Sequence, residues 1–203
     1  MTADLVSGIV GAGAAAVIVL AGGVDLEVGL LAAISGLTFA ALARRARREP
    51  PGHSDPTSLA TALAFLAILV AASFDAGRGN RTDWIARGLG STIIAAGLAL
   101  RALAMHALGG SLGVRLQVRD EQALVNAGPY KWIRHPNYAG LTLVAGGIAV
   151  AFSSTLALVV AVCLWLPVLL VHIAHEERML IERFGRQYRA YMNDTRRLIV
   201  GIY

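Results

Sequence analysis

Apolar positions along this chain come in long unbroken runs, not in the alternating or one-face patterns of a water-soluble domain. Crossing a hydrocarbon core about 30 Å thick takes roughly 17 to 25 helical residues. Six runs meet or approach that length: Leu5 to Gly22, Leu26 to Ala43, Leu59 to Phe74, Gly88 to Leu108, Tyr138 to Phe152 and Thr155 to Ala174. The second carries Glu27 near its start, and the third and fifth are short. Pro50, Pro51, Gly52 and Pro56 punctuate the chain between the second and third runs, and Ser153 and Ser154 mark a tight hairpin between the last two. The pattern predicts an all-α polytopic transmembrane bundle of about six helices, closing on a helical hairpin. Five crossings is the alternative, with the first two runs forming a looser pair. No basic residue precedes the first run in Met1 to Asp4, so it does not read as a cleaved signal peptide.

Composition strengthens this reading. Of 203 residues, 56% are apolar and 15% charged, with a mean hydropathy of +0.62, whereas a soluble domain carries about 25% charged residues. A soluble enzyme, a DNA-binding domain and a disordered tail are excluded as the main reading. Lys and Arg total 18 against 13 Asp and Glu, a net charge of +5. These cations flank apolar runs, so they read as topology signals and not as a nucleic-acid surface. Arg44, Arg45, Arg47 and Arg48 follow the second run; Arg115, Arg119, Lys131 and Arg134 follow the fourth; Arg178, Arg183, Arg186, Arg189, Arg196 and Arg197 follow the sixth. With six crossings all of these fall on one side, facing only Arg78, Arg81 and Arg87 on the other. The positive-inside rule then puts both termini in the cytoplasm. Cys163 is the single cysteine and lies within an apolar run, so neither a disulfide framework nor a cysteine metal site is available.

Two polar clusters carry the candidate chemistry: Gly128-Pro-Tyr-Lys-Trp-Ile-Arg-His-Pro-Asn-Tyr-Ala-Gly140 entering the fifth run, and His172-Ile-Ala-His-Glu-Glu177 leaving the sixth. Pro136 suits the first turn of a helix, so His135, Pro136, Asn137 and Tyr138 read as a helix start with free backbone donors, a place that favours an anion. A short hairpin joins the two runs, so both clusters are expected at one membrane face. His172 shares a helix face with His175 and Glu176, and carboxylates at this depth need partners. Arg134, His135, Glu176 and Glu177 together offer cationic and anionic contacts for a zwitterionic ligand. Metal ligation by His172 and His175 is the weaker alternative, because the zinc-protease pattern His-Glu-x-x-His is absent and His53, His106 and His135 do not form a second such pair. Arg101 and His106 on the fourth run are candidate pocket residues, or else snorkel toward headgroups. The tail from Arg178 to Arg197 alternates basic and apolar residues and is expected to lie on anionic lipid.

Gly128-Pro-Tyr, Arg134-His-Pro-Asn-Tyr-Ala-Gly140 and Glu176-Glu177, with Leu180, Phe184-Gly185, Tyr188 and Tyr191 downstream, resemble the isoprenylcysteine carboxyl methyltransferase family, to which the phospholipid methyltransferases are related. The resemblance covers about Leu108 to Tyr191. It implies an integral membrane S-adenosylmethionine-dependent methyltransferase with its cofactor site on the cytoplasmic face, acting on a lipid-like or prenylated acceptor, with no metal and no nucleic acid. Carried over residue by residue, the donor-binding positions are Gln117, Gln122, Ala123, Leu124, Val125, Tyr130, His135, Pro136, Asn137, Tyr138 and Glu176. Arg134, His172, Glu176 and Glu177 are the implied catalytic set. One departure concerns the acceptor: the family's arginine one turn before the glutamate corresponds here to His172, and an imidazole does not reproduce a guanidinium's two-pronged, permanent charge. On this reading residues 1–203 form a single membrane domain. Residues 1–108 give four N-terminal transmembrane helices, and 109–203 give the cofactor-binding loop, the helical hairpin and a basic cytoplasmic tail. An alanine-, glycine- and arginine-rich chain points to a bacterial inner membrane. Two rivals stand beside it: an NADPH-dependent membrane sterol reductase, which shares an Arg-His-Pro-Asn-Tyr segment but continues with Gly-Glu where this chain has Gly140-Leu141, and a non-catalytic lipid-binding membrane protein.

Overall fold

A computed structural model describes residues 56–78, 83–108 and 124–199. The first two expected crossings lie outside the described residues, and with them the choice between five and six. Gln117, Gln122 and Ala123 lie outside as well. Five helices follow in order: α1, Pro56–Gly77; α2, Trp84–Leu108; α3, Pro136–Ala151; α4, Thr155–Phe184; and α5, Arg186–Asp194. A single 3-10 turn, Gly128–Lys131, precedes α3. Among the described residues the one strand-like contact is an isolated parallel pairing of Ile133 with Arg196.

By length and composition α1, α2 and α4 can each cross a membrane, and α3 is a shorter apolar helix. Large apolar side chains stay exposed on their outer faces, among them Leu63 and Val70 of α1, Leu103 of α2, and Val162 and Val171 of α4. In water that would be a liability; against lipid tails it costs nothing. Inside, Ile68 and Leu69 of α1, Ile94 of α2, Val144 and Ile148 of α3, and Trp165, Leu169 and Ile173 of α4 form one buried cluster. Phe65 meets Trp165 edge to face, with ring centroids 5.3 Å apart, a favoured aromatic geometry.

Helix α4 runs ten residues past the expected end of the sixth run, to Phe184. Nothing between Ala174 and Phe184 breaks a helix, and the chain stops only at Gly185, whose φ of +52° is open to glycine and strained for other residues. Within the span, Ala161–Trp165 form a π-helical turn. Pro167 follows directly, and its ring cannot accept the normal ladder to the preceding turn; the widened turn is where that mismatch is absorbed.

Helices α2 and α3 touch through glycine. A Cβ on Gly97 would stand 2.5 Å from the Gly140 carbonyl oxygen, and one on Gly90 would stand 2.4 Å from the Ala151 backbone nitrogen. Gly147 likewise faces Ile94 and the Gly90 carbonyl. Gly90 and Gly97 on one helix and Gly140 and Gly147 on the other share a seven-residue spacing, which keeps each pair on one face of its helix. Close approach through small residues is how helices associate without a hydrophobic drive.

At the far end of the bundle the Ser153-Ser154 hairpin forms as its sequence predicts. Ser154 caps α4 by accepting from the Ala157 N–H at 3.0 Å. Asp75, near the end of α1, accepts from the Ser154 hydroxyl at 2.7 Å and from the Leu156 N–H at 3.1 Å. A carboxylate at a helix N-terminus is favourable, and here it also ties α1 to the α3–α4 turn. Asp75→Ala should therefore lower stability by about 1 to 2 kcal/mol, read as an earlier thermal unfolding midpoint in detergent. Ligand affinity at the opposite end should not change.

Candidate functional site

The two polar clusters meet, as the short hairpin requires. Glu176 stands five residues beyond Val171, the last exposed apolar residue on α4, a rise of roughly 7 to 8 Å. That places the cluster where the apolar belt ends.

Glu177 is its buried centre, only 3% exposed. Its Oε1 accepts from Arg134 Nε at 2.8 Å, and its Oε2 meets Arg197 Nη2 at 2.7 Å. His135 Nε2 lies 3.4 Å from Oε1 without forming a hydrogen bond. A carboxylate removed from water is tolerated only when opposite charge and hydrogen bonds replace the lost hydration, and two guanidinium groups do so here. Arg134 is fixed further by donating Nη1 to the carbonyls of Met192 at 3.0 Å and Thr195 at 2.5 Å. Glu177, a member of the implied catalytic set, is thus committed to two arginines.

Glu176 differs. Its side chain is 12% exposed, and Oε2 lies 3.7 Å from His135 Nδ1, beyond hydrogen-bond distance. Among the buried polar atoms at this corner that keep unspent hydrogen-bonding capacity are His135 Nε2, Asn137 Oδ1, Glu176 Oε2 and the Tyr188 hydroxyl. Buried groups of this kind are normally satisfied, so their concentration here marks a place for a polar ligand.

His172 is likewise committed. Its Nδ1 is 2.6 Å from the Thr57 hydroxyl and its Nε2 is 2.8 Å from the Tyr138 hydroxyl. The ring is buried, so it links α1, α3 and α4 at the level of the site. No local pattern marks Thr57 as its partner. His175, on the same helix, is exposed.

The start of α3 departs from expectation. Both the Tyr138 and the Ala139 N–H donate to the His135 carbonyl, at 3.1 and 3.0 Å, and Pro136 has no N–H. Among the described residues, Asn137 is left as the single first-turn donor open to a ligand. The pull of a helix start on an anion survives, but through one N–H in place of an open set.

Tyr130 sits in the 3-10 turn whose Gly128 packs on Ala107 of α2. Burial, and then the nearby Glu176 carboxylate, hold the Tyr130 phenol well above its ordinary range. Burial likewise raises Tyr188, with Glu177 adding to it. Tyr191 is pushed up to about 12 by burial, against the pull of Arg134 and Thr195, and donates to the Tyr130 carbonyl at 2.7 Å. All three stay protonated donors at working pH. Leu124 and Val125 are half-buried ahead of this turn and have only backbone and van der Waals contacts to offer.

Arg101 of α2 is 3% exposed, and its Nε and Nη1 have no partner. Its stem crosses Gly140, where a Cβ would stand 2.7 Å from Arg101 Cγ. His106 is exposed. Among the described residues no three His, Cys, Asp or Glu side chains converge as a metal site would require.

The tail differs most from its expected role on lipid. After α5 it turns back as an extended segment beside the Arg134 corner: Arg196 N–H donates to the Trp132 carbonyl at 3.1 Å, Arg134 N–H to the Arg196 carbonyl at 2.7 Å and His135 N–H to the Arg197 carbonyl at 3.1 Å. A signal for this was present in Thr195 to Val200, where β-branched residues follow a helix.

Residues 89–182 match the family model "Isoprenylcysteine carboxyl methyltransferase (ICMT) family". Protein-S-isoprenylcysteine O-methyltransferase of Saccharomyces cerevisiae is 33% identical over 107 residues, 52% of this chain and 45% of that protein. Protein-S-isoprenylcysteine O-methyltransferase B of Arabidopsis thaliana is 33% identical over 116 residues, 56% of this chain and 58% of that protein. The chain spans about half the length of these curated relatives. The solved structure of the eukaryotic intramembrane Ras methyltransferase ICMT is similar in fold, with a TM-score of 0.60 at 20% identity, covering 93% of this chain and 74% of that one. The matched segment contains α3, most of α2 and nearly all of α4, and with them Arg134, His135, Glu176 and Glu177, while Met192, Thr195 and Arg197 of the same corner lie beyond it. Over residues 89–182 this membrane chain is thus similar to the isoprenylcysteine carboxyl methyltransferase family.

Proposed function

We propose that the protein is a membrane methyltransferase that takes its methyl group from S-adenosylmethionine and delivers it to a lipid-like or amphipathic acceptor. The observation that carries this reading is the set of buried, unsatisfied polar atoms on His135, Asn137 and Glu176 beside the ion-paired Arg134–Glu177–Arg197 network. Their chemistry fits the donor. The Glu176 carboxylate suits an ammonium, and the Asn137 N–H, Tyr130 hydroxyl and His135 ring suit a carboxylate and hydroxyls. Gln117, Gln122, Ala123, Leu124, Val125, Pro136 and Tyr138 complete the proposed donor site by resemblance to the family. When bound, S-adenosylmethionine supplies an electrophilic methyl group on a sulfonium. The residues of this chain then act by alignment and by excluding water.

The proposed acceptor carries an anionic group. Arg101 holds an unsatisfied guanidinium inside the bundle, a costly state that an incoming anion relieves. Glu177 and His172, the members of the implied catalytic set that could act as a general base, are both committed to other groups. A carboxylate acceptor needs no base, whereas an amine or hydroxyl does. The names of the relatives specify an isoprenylated cysteine; here His172 stands where the family has a second cation, so a single anionic group received by Arg101 is the proposed requirement. The arginine distribution supports a cytoplasmic site on a bacterial inner membrane, with residues 109–203 bearing the donor site and 1–108 the remaining wall.

Calorimetric titration of the detergent-purified protein tests this. Saturable binding of S-adenosylhomocysteine, with none of NADPH, is expected. NADPH binding alone would move the protein to the reductases, and binding of neither would favour a lipid-binding protein without catalysis.

A further inference from the structure

We infer that the C-terminal segment Thr195 to Leu198, which lies beyond the family-matched residues, is a working part of the donor site, with Arg197 as a positioning residue that acts through Glu177. The inference rests on the proposed donor reading and adds to it an element outside residues 89–182.

Three backbone hydrogen bonds lay this segment along Trp132 to His135, consuming the N–H groups of both Arg134 and His135. With those donors spent, His135 holds φ −122° and ψ +58° and α3 begins at Pro136. The segment therefore sets where the helix starts and where the Asn137 N–H points. Both its ends are pinned: Thr195 donates its hydroxyl to the Tyr191 carbonyl at 2.6 Å, and Leu198 is buried in the apolar cluster.

Arg197 adds charge to that geometry. Glu177 carries one negative charge and meets two guanidinium groups, each on its own oxygen. Arg134 is tethered by two carbonyls of the C-terminal region and cannot move to cover both oxygens. If Arg197 is removed, Glu177 Oε2 loses its partner, and the His135 ring stands beside the same carboxylate, 3.4 Å from Oε1 through Nε2 and 3.7 Å from Glu176 through Nδ1. The ring is then drawn toward Glu177 and away from the position that borders the donor site. Arg197 thus keeps His135 and Glu176 uncommitted.

The test measures the dissociation constant of S-adenosylhomocysteine for the detergent-purified full chain by calorimetry. Arg197→Gln is expected to weaken binding by about 10- to 100-fold, the worth of a charge-assisted hydrogen bond. Arg197→Lys should recover most of it, since one contact at 2.7 Å is what the guanidinium supplies. Arg189→Gln, on the exposed side of α5, should bind as the parent does. In a Glu177→Gln background the Arg197→Gln effect should shrink to within about threefold, because the coupling runs through Glu177. A purely structural role would lower the unfolding temperature in Arg197→Gln and Arg197→Lys alike, with parental affinity in the folded protein, and that result would overturn the inference. Should Arg197→Gln fail to fold, Arg197→Lys decides: near-parental binding supports the inference, and a loss as large as that expected of Arg197→Gln opposes it. Failure of the parent protein to bind would instead count against the donor reading itself.

Discussion

Glu176→Gln should cost the protein its methyl donor while leaving the fold intact. The substitution preserves volume and removes the charge proposed to receive the donor's ammonium, a loss of about 2 to 3 kcal/mol, or roughly 30- to 150-fold in affinity for S-adenosylhomocysteine. Glu176 holds no hydrogen bond through Oε2 and stands 3.7 Å from its nearest cation-forming neighbour in His135, so the unfolding temperature should stay within about 2 °C. The neighbouring Glu177→Gln should behave in the opposite way. Its carboxylate answers two guanidinium groups, and neutralising it leaves buried cations uncompensated, an expected destabilisation of about 3 kcal/mol or more. Adjacent glutamates thus separate into one that governs affinity and one that governs stability. Unchanged affinity in Glu176→Gln would remove the donor assignment.

The second large effect lies away from the chemistry. Gly97→Leu should disrupt the α2–α3 pair, because a Cβ there would stand 2.5 Å from the Gly140 carbonyl oxygen, and backbone does not yield as a flexible side chain does. Overpacking costs about 1 to 3 kcal/mol when side chains can shift; with backbone in the way, the upper end or more is expected. Loss of monodisperse protein in size-exclusion chromatography would register it. Gly146→Leu provides the contrast, since a Cβ at Gly146 meets nothing within 4 Å. Equal behaviour of the two variants would show that the helices do not rely on this contact.

Much of this architecture was legible in the sequence because membrane spans announce themselves by length and polarity alone. The expected third to sixth runs correspond to α1 to α4, and the Ser153-Ser154 hairpin brings the Arg134 and Glu176 clusters together as a short turn must. Local pattern was silent where the outcome depended on distant partners. Glu176 and Glu177 look equivalent along the chain; the approach of Arg134 and Arg197, each distant in sequence, makes one of them a buried ion pair. His172 reads as a reactive histidine until Thr57 and Tyr138 are seen to hold its two nitrogens. The end of α4 was placed early because polarity begins at His175, whereas the helix continues until a residue that can adopt positive φ, at Gly185. The tail was read by its charge, while its backbone hydrogen bonds decided its place.

The glycine contact between α2 and α3 also governs traffic. Where Gly97 meets Gly140 and Gly90 meets Ala151, the two backbones are already closer than a single added carbon permits. An acyl or prenyl chain is about 4 to 5 Å across, wider than any gap between close-packed interior atoms. That flank of the bundle is a closed wall to lipid over most of its height. The proposed hydrophobic acceptor would have to reach Arg101 from another side, so the candidate site would open to only part of the surrounding bilayer.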